Sequence, residues 1–233
     1  MPQKATLNLC GKPSIQYLIE NLKKTKIADK IVLCTTLESD DDVLCSIAKD
    51  SGIEFFRGSS EDKLARWLGA CKTYNIDFFV NVDGDDLFFD VPLADLCLEQ
   101  SDDIDFIDGR GLYNDVYGIH TLALETVCKM KSDEDTEFIR PHFTDPMKGF
   151  RTKKIKNIPD KYKKKNIRMT MDYIEDFYFF ESVIRHFKNL NTEPTFDKIL
   201  KYLDQRPEIA EINWFREKEW KENQTKMISR VVL

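Results

Sequence analysis

The 233 residues suffice for one large domain, or one domain with an appendage, built on a sizeable core. A net charge of −6 argues against a broad nucleic-acid surface, and no apolar run is long enough to span a bilayer or serve as a signal peptide. Six scattered cysteines form no Cys-x-x-Cys pair and no cluster with histidine, which is the pattern of reduced thiols, so the chain is expected in the cytoplasm.

A short polar start leads to Ala5–Leu9 and a turn, Cys10-Gly11-Lys12-Pro13. Ile15, Leu18, Ile19 and Leu22 recur at helical spacing, so Ser14 to about Thr25 reads as an amphipathic helix with Ser14 as its N-cap. Ile31–Cys34 reads as a strand ending at Thr35 and Thr36, and Asp40–Asp50 as a helix with an acidic first turn. Ile53–Phe56 is the next strand, and Glu61–Tyr74 a helix carrying Leu64, Trp67 and Leu68 on one face. Phe78–Val82 is a continuous apolar run that suits a buried parallel strand. This alternation with short connections predicts right-handed βαβ units.

Beyond Pro92 the rhythm loosens. Leu93–Glu99 reads as a helix, Ile104–Ile107 as a strand, 116–120 as part of a connection, Thr121–Met130 as a helix, and Ser132 as the start of a short acidic helix. Residues 144–167 hold many lysines and few apolar residues, which suggests a β-hairpin arm off the main sheet, its lysines reading as a solvated face more readily than as a basic patch for phosphates. Asn166–Met171 reads as a strand and Asp172–Phe187 as a helix with an aromatic core face. Two short helices follow, Thr195–Leu203 and Pro207–Ile212, and then a charged tail, 214–233, expected to be frayed or partner-bound.

The stretch with most chemistry is Asp83-Gly84-Asp85-Asp86, directly after Phe78–Val82. Open α/β sheets bind ligands at the carboxyl ends of their strands. Gly84 permits a sharp turn between two acids. Clustered carboxylates require a positive counterpart, and Mg²⁺ with a polyphosphate is the natural candidate. Taken alone, the turn reads equally well as a solvated acidic loop.

Six segments in order carry a resemblance. Pro2-Gln3-Lys4 with Gly11-Lys12-Pro13 resembles the end of the N-terminal signature of the sugar nucleotidyltransferases. Phe55-Phe56-Arg57-Gly58-Ser59 looks like a segment of the spore coat polysaccharide SpsF-like branch. Asp83-Gly84-Asp85 matches the superfamily's metal-holding turn. Glu137 with Pro141-His142-Phe143-Thr144 resembles a segment near the sugar site. Arg168–Phe177 is similar to a block whose first Asp is the second metal ligand, and Pro207–Asn213 to the terminal helix.

The resemblance implies a three-layer Rossmann-like α/β fold of the nucleotide-diphospho-sugar transferase kind, with a mostly parallel central sheet. It implies one domain over 1–213, with 144–167 as a dimerisation arm of a homodimer. The implied activity is Mg²⁺-dependent transfer of CMP from CTP to an acidic sugar, such as Kdo or a nonulosonic acid, in surface polysaccharide biosynthesis. Lys4, Asp85 and Asp172 would be catalytic, with Asp85 and Asp172 holding Mg²⁺ from the ends of two strands. Lys4, Lys12, Thr35, Thr36 and Asp85 would meet the nucleotide, and Arg57, His142 and Arg168 the substrate. Three departures stand out. The family's first strand and triphosphate loop have no counterpart in these residues, so two apolar strand edges, one of them at Ile31, are expected to lack their partner. The acidic turn lacks the usual following Pro, and Gly118 stands where SpsF-like members often carry Glu. A catalytically impaired, regulatory relative and a nucleotide-sugar glycosyltransferase remain alternatives.

Overall fold

The computed structural model describes residues 3–131, 139–163 and 166–231. Strands β1 (Asn8–Leu9) and β2 (Lys12–Pro13) form a small antiparallel hairpin. Helix α1 (Ser14–Leu22), β3 (Val32–Thr36), α2 (Asp42–Asp50), β4 (Glu54–Gly58), α3 (Lys63–Tyr74) and β5 (Phe78–Asn81) follow in the expected alternation. Next come α4 (Val91–Leu98), β6 (Phe106–Gly109), β7 (Val116–His120), α5 (Thr121–Met130), α6 (Arg140–Thr144) and β8 (Thr152–Lys154). Helices α7 (Ile174–Asn189), α8 (Phe196–Gln205), α9 (Pro207–Trp214) and α10 (Arg216–Val231) complete the chain. The helix expected from Ser132 and the predicted site residue Glu137 lie outside the described residues, as do Pro2, Lys164 and Lys165.

Phe106 and Ile107 are neighbours on β6 yet enter different cores, as strand alternation requires. Ile107 joins Leu9, Ile15, Phe88, Phe179 and Phe180 on the side of α1, α4 and α7. Phe106 joins Leu64, Trp67, Ile119, Leu124 and Phe143 on the side of α3, α5 and α6. Helices therefore cover both faces of the sheet, in three layers.

The strand directions are mostly parallel, as expected, with one exception. β3 and β4 are parallel, β5, β6 and β8 run in one direction, and β7 lies antiparallel between β5 and β6. The connection 110–115 is too short for a crossover, so β6 and β7 must pair antiparallel. Residues 116–120, taken above for part of a connection, are thus a central strand. Residues 144–167 are not an arm either: β8 joins the sheet, and Ile155, Tyr162 and Ile167 are buried anchors among the lysines. The strand expected at 166–171 is irregular chain with Arg168, Met169 and Met171 buried.

No backbone hydrogen bond joins β3 to β5. Among the described residues each has one edge without a neighbouring strand, and Val32, Leu33, Phe79 and Val80 line a common cleft of about 1630 Å³. The acidic turn and Lys4 lie on the same cleft. No helix among the described residues is long and apolar enough to cross a membrane.

Candidate active site

After β5 the chain turns tightly, with the Asp86 N–H donating to the Asp83 carbonyl at 3.1 Å. Leu87, Phe88 and Phe89 then plug the core and pin the turn at the cleft. The Met171 N–H donates to the Asp85 carbonyl at 3.2 Å, which stitches the segment before Asp172 to the acidic turn. Lys4 enters on a 3₁₀ turn, where its carbonyl accepts from Ser14 Oγ at 2.5 Å. Ser14 is the first residue of α1 and not its cap; its hydroxyl serves Lys4 instead.

These placements bring three sequence-predicted residues together. Lys4 Nζ donates to Asp85 Oδ2 at 2.5 Å and to Asp172 Oδ1 at 2.8 Å. Burial by itself would lower the Lys4 pKa, but Asp85 and Asp172 override it and hold the ammonium above the ordinary lysine range. Burial raises Asp172 too, yet Lys4 and Arg168 bring it below the usual carboxylate range. Asp85 is raised, chiefly by burial and against the pull of Lys4, with Asp83 adding to the rise. Asp172 thus carries the firmer charge, and Asp85 is the easier of the two to protonate. Asp86 is raised well above the usual range by burial and then by Asp85 and Asp83.

Asp172 comes from irregular chain just before α7, not from a strand end. What fixes it is Arg168. That side chain is 1% exposed, which leaves no surface for a substrate despite the expectation for this residue. Its Nη2 donates to Asp172 Oδ2 at 2.6 Å, its Nε to Asp176 Oδ1 at 2.9 Å, and its Nη1 to Glu217 Oε2 at 3.3 Å. The guanidinium lies 5.4 Å from the Tyr173 ring and 5.5 Å from the Trp220 ring. Asp176 Oδ2 accepts the backbone N–H groups of Asp172 and Tyr173 at 2.8 and 2.9 Å, and Asn213 Nδ2 donates to Asp176 Oδ1 at 2.8 Å. Glu217 and Trp220 belong to α10, so the supposed tail is part of the site's foundation.

The other predicted residues are spent locally. Thr35 and Thr36 hydroxyls donate to Asp41 Oδ2 at 2.6 and 2.5 Å. Arg57 donates to the Thr36 and Glu38 carbonyls, both at 2.8 Å, and to Asp42 at 2.6 Å, so it braces the loop after β3. Lys12 pairs with Glu20 and lies 4.3 Å above the Tyr17 ring. His142 is buried in α6. Sequence reasoning missed Lys63, which donates to Asp83 Oδ1 at 2.9 Å on the edge of the turn. It also missed Glu217, which nothing in the sequence sets apart from Glu219 two residues on.

Among the described residues, no three His, Cys, Asp or Glu side chains gather as a cation cage. Asp85 Oδ2 and Asp172 Oδ1, however, converge on one ammonium. Mg²⁺ characteristically takes one or two carboxylates and fills its remaining positions with phosphate and water oxygens. Asp85, Asp172, Asp176 and Glu217 also outnumber Lys4, Arg168 and Lys221 in charge, so the donor set fits a divalent cation.

The chain resembles known proteins along most of its length. It is 29% identical over 220 residues to the uncharacterized protein MJ1063 of Methanocaldococcus jannaschii, covering 91% of this chain and 88% of that one. It is 21% identical over 222 residues to the spore coat polysaccharide biosynthesis protein SpsF of Bacillus subtilis, covering 90% and 91%. A solved cytidylyltransferase from Leptospira borgpetersenii superposes with a TM-score of 0.78 at 27% identity, over 90% of each chain. The cytidylyltransferase family model matches residues 1–183. With both carboxylates and Lys4 inside that match, the chain belongs to the cytidylyltransferase family.

Proposed function

We propose that this chain transfers CMP from CTP to an acidic sugar of the Kdo or nonulosonic acid class, in the making of a surface polysaccharide. Family membership supports the use of CTP, and the likeness to SpsF supports the polysaccharide context. The observation that carries the mechanism is the convergence of Lys4, Asp85 and Asp172 on one point of the cleft. The oxygen of a sugar hydroxyl attacks the α-phosphorus of CTP and gives up its proton to water, the bond from that phosphorus to the bridging oxygen breaks, and pyrophosphate leaves. Such a transfer needs mainly positioning and neutralisation of charge. Asp85 and Asp172 would hold Mg²⁺, whose charge offsets that of the triphosphate. Lys4, which lies between the two carboxylates, would present its ammonium to the phosphate oxygens. Arg168 keeps Asp172 in place, and Lys63 occupies Asp83 so that this third acid does not compete. The same proposal has the chain working as a homodimer, which light scattering tests.

The experiment is pyrophosphate release from CTP, Mg²⁺ and a panel of 2-keto-3-deoxy sugar acids. Asp85→Ala and Asp172→Ala are each expected to lower the rate by about 10²–10³-fold, the scale for losing one charge-stabilising group. Full activity in either variant rules the mechanism out. Nucleotide binding without turnover on any acceptor points instead to a regulatory relative.

A further inference from the structure

Strands β5, β7 and β6 place Asn81, Tyr117 and Asp108 side by side, because Tyr117 is the register partner of both. Cross-strand partners point to the same face, and strands lie about 4.8 Å apart, so Asp108 stands roughly 10 Å along the sheet from the start of the acidic turn. Its carboxylate is buried, 8% exposed, and serves two arginines. Arg140 Nε donates to Asp108 Oδ2 at 2.9 Å. Arg110 N–H donates to Oδ1 at 3.1 Å, and Arg110 Nε lies 3.6 Å from the same oxygen. Asp115, whose Oδ1 accepts the Gly111 N–H at 3.0 Å, balances the second guanidinium in charge, so what the two arginines offer an anion is their open N–H forks and not a surplus of charge.

Both arginines are held by their Nε sides, and among the described residues no hydrogen bond occupies their Nη groups. Arg110 is 49% exposed and Arg140 36%. Both line the cleft that contains Lys4, Asp85 and Asp172. An arginine that merely decorates a surface seldom pivots on a buried carboxylate; here the desolvated acid sets the direction of two forks. Guanidinium forks match the paired oxygens of a carboxylate or phosphate.

We propose that Arg110 and Arg140, oriented by Asp108, form an anion subsite that takes the acid group of the acceptor sugar. The assignment rests on the transferase reading for its ligand, and it supplies what that reading lacks: residues that select a charged sugar over a neutral one. The acid group sits on the β6 side of the cleft while the nucleophilic hydroxyl reaches towards Asp85 and Asp172. Arg110 and Arg140 then determine specificity and take no part in bond making.

The test is isothermal titration with glucuronate, glucose 6-phosphate and glucose as probes, beside CTP with Mg²⁺. The wild type is expected to bind a charged probe and not glucose. Preference for glucuronate identifies a carboxylate acceptor, and preference for glucose 6-phosphate a phosphorylated one. Arg140→Ala and Arg110→Ala are expected to weaken the charged probe by at least about tenfold, while CTP binding stays within about twofold. Arg140→Lys keeps the charge and loses the fork, so it is expected to fall between, and its wild-type unfolding midpoint checks the fold. If the charged probe binds and CTP does not, the subsite stands and the transferase reading falls. Equal binding of all three probes, or arginine variants that bind like the wild type, overturns the subsite.

Discussion

Asp172 divides its carboxylate between two cations, Oδ2 at 2.6 Å from Arg168 and Oδ1 at 2.8 Å from Lys4. Arg168 is therefore the residue through which the buried network sets the aim of the cleft-facing oxygen. Arg168→Ala removes the guanidinium that Asp176 and Glu217 share, leaving Asp176 with neutral donors and Glu217 with Lys221, and a broken buried pair costs about 3–5 kcal/mol; urea unfolding measures it. Arg168→Lys keeps a charge in place but cannot fork across three carboxylates. It is expected to lose less stability, yet to weaken Mn²⁺ binding, read by water proton relaxation without nucleotide. Wild-type Mn²⁺ affinity in a folded Arg168→Lys protein means that Asp172 holds its own position. Lys4 predicts the opposite sign. Its ammonium occupies the space between the carboxylates, so Lys4→Ala is expected to bind Mn²⁺ alone more tightly and CTP more weakly. The same relaxation titration, repeated with CTP, separates the two effects. A Lys4→Ala protein that loses Mn²⁺ affinity shows that the lysine supports the cation and does not stand in for it.

Elements explain which parts of this site were legible. That Lys4, Asp85 and Asp172 meet was legible because residue type and order suffice where charged groups end on loops beside strands. Arg168 could not be assigned correctly, because a sequence shows an arginine four residues before an aspartate but not which of them is buried. Helix α10 looked like a tail, since Glu217 and Trp220 are nearly alone in turning inward among charged neighbours. β7 was missed for a related reason: Gly118 breaks the apolar pattern. In the fold, a Cβ at Gly118 would stand 2.7 Å from the Phe78 ring and 2.9 Å from Cys97 Sγ, so the glycine lets α4 lie against the strand. A glutamate there would drive α4 off, which accounts for the departure from SpsF-like members in terms of packing. Gly118→Ala is expected to cost about 1–3 kcal/mol by overpacking, seen as a lower thermal midpoint; an unchanged midpoint shows that α4 shifts freely. The Cys97 thiol at this contact is fully buried, and burial pushes its pKa from 9.0 up to about 12. The unfolded chain gives up that proton first, so stability should fall as pH rises from about 9 towards 12. Cys97→Ala should flatten that slope in chemical unfolding, and an unchanged slope assigns it to other groups.

At the scale of the whole molecule the sheet is divided, and that division was only partly foreseeable. The alternation up to β5 is local, so βαβ periodicity revealed it. The antiparallel insertion of β7 and the return of β8 to the sheet depend on pairings between distant residues, which periodicity does not encode. The division itself has a measurable consequence. Among the described residues β7 is hydrogen-bonded on both sides, to β5 and to β6, whereas β3 bonds only to β4 and β5 only to β7. Backbone groups on an open edge are either solvated or ready to receive another strand. Native-state hydrogen exchange should therefore show protection at every amide of Val116–His120, approaching that of global unfolding. Within Val32–Thr36 and Phe78–Asn81 it should alternate, with the amides directed at the cleft exchanging by small local openings. Uniform protection along β3 and β5 would mean that a further strand pairs with both edges in solution. Alternation would mean that the floor of the cleft, beside the carboxylate pair, stays open to water and to a nucleotide.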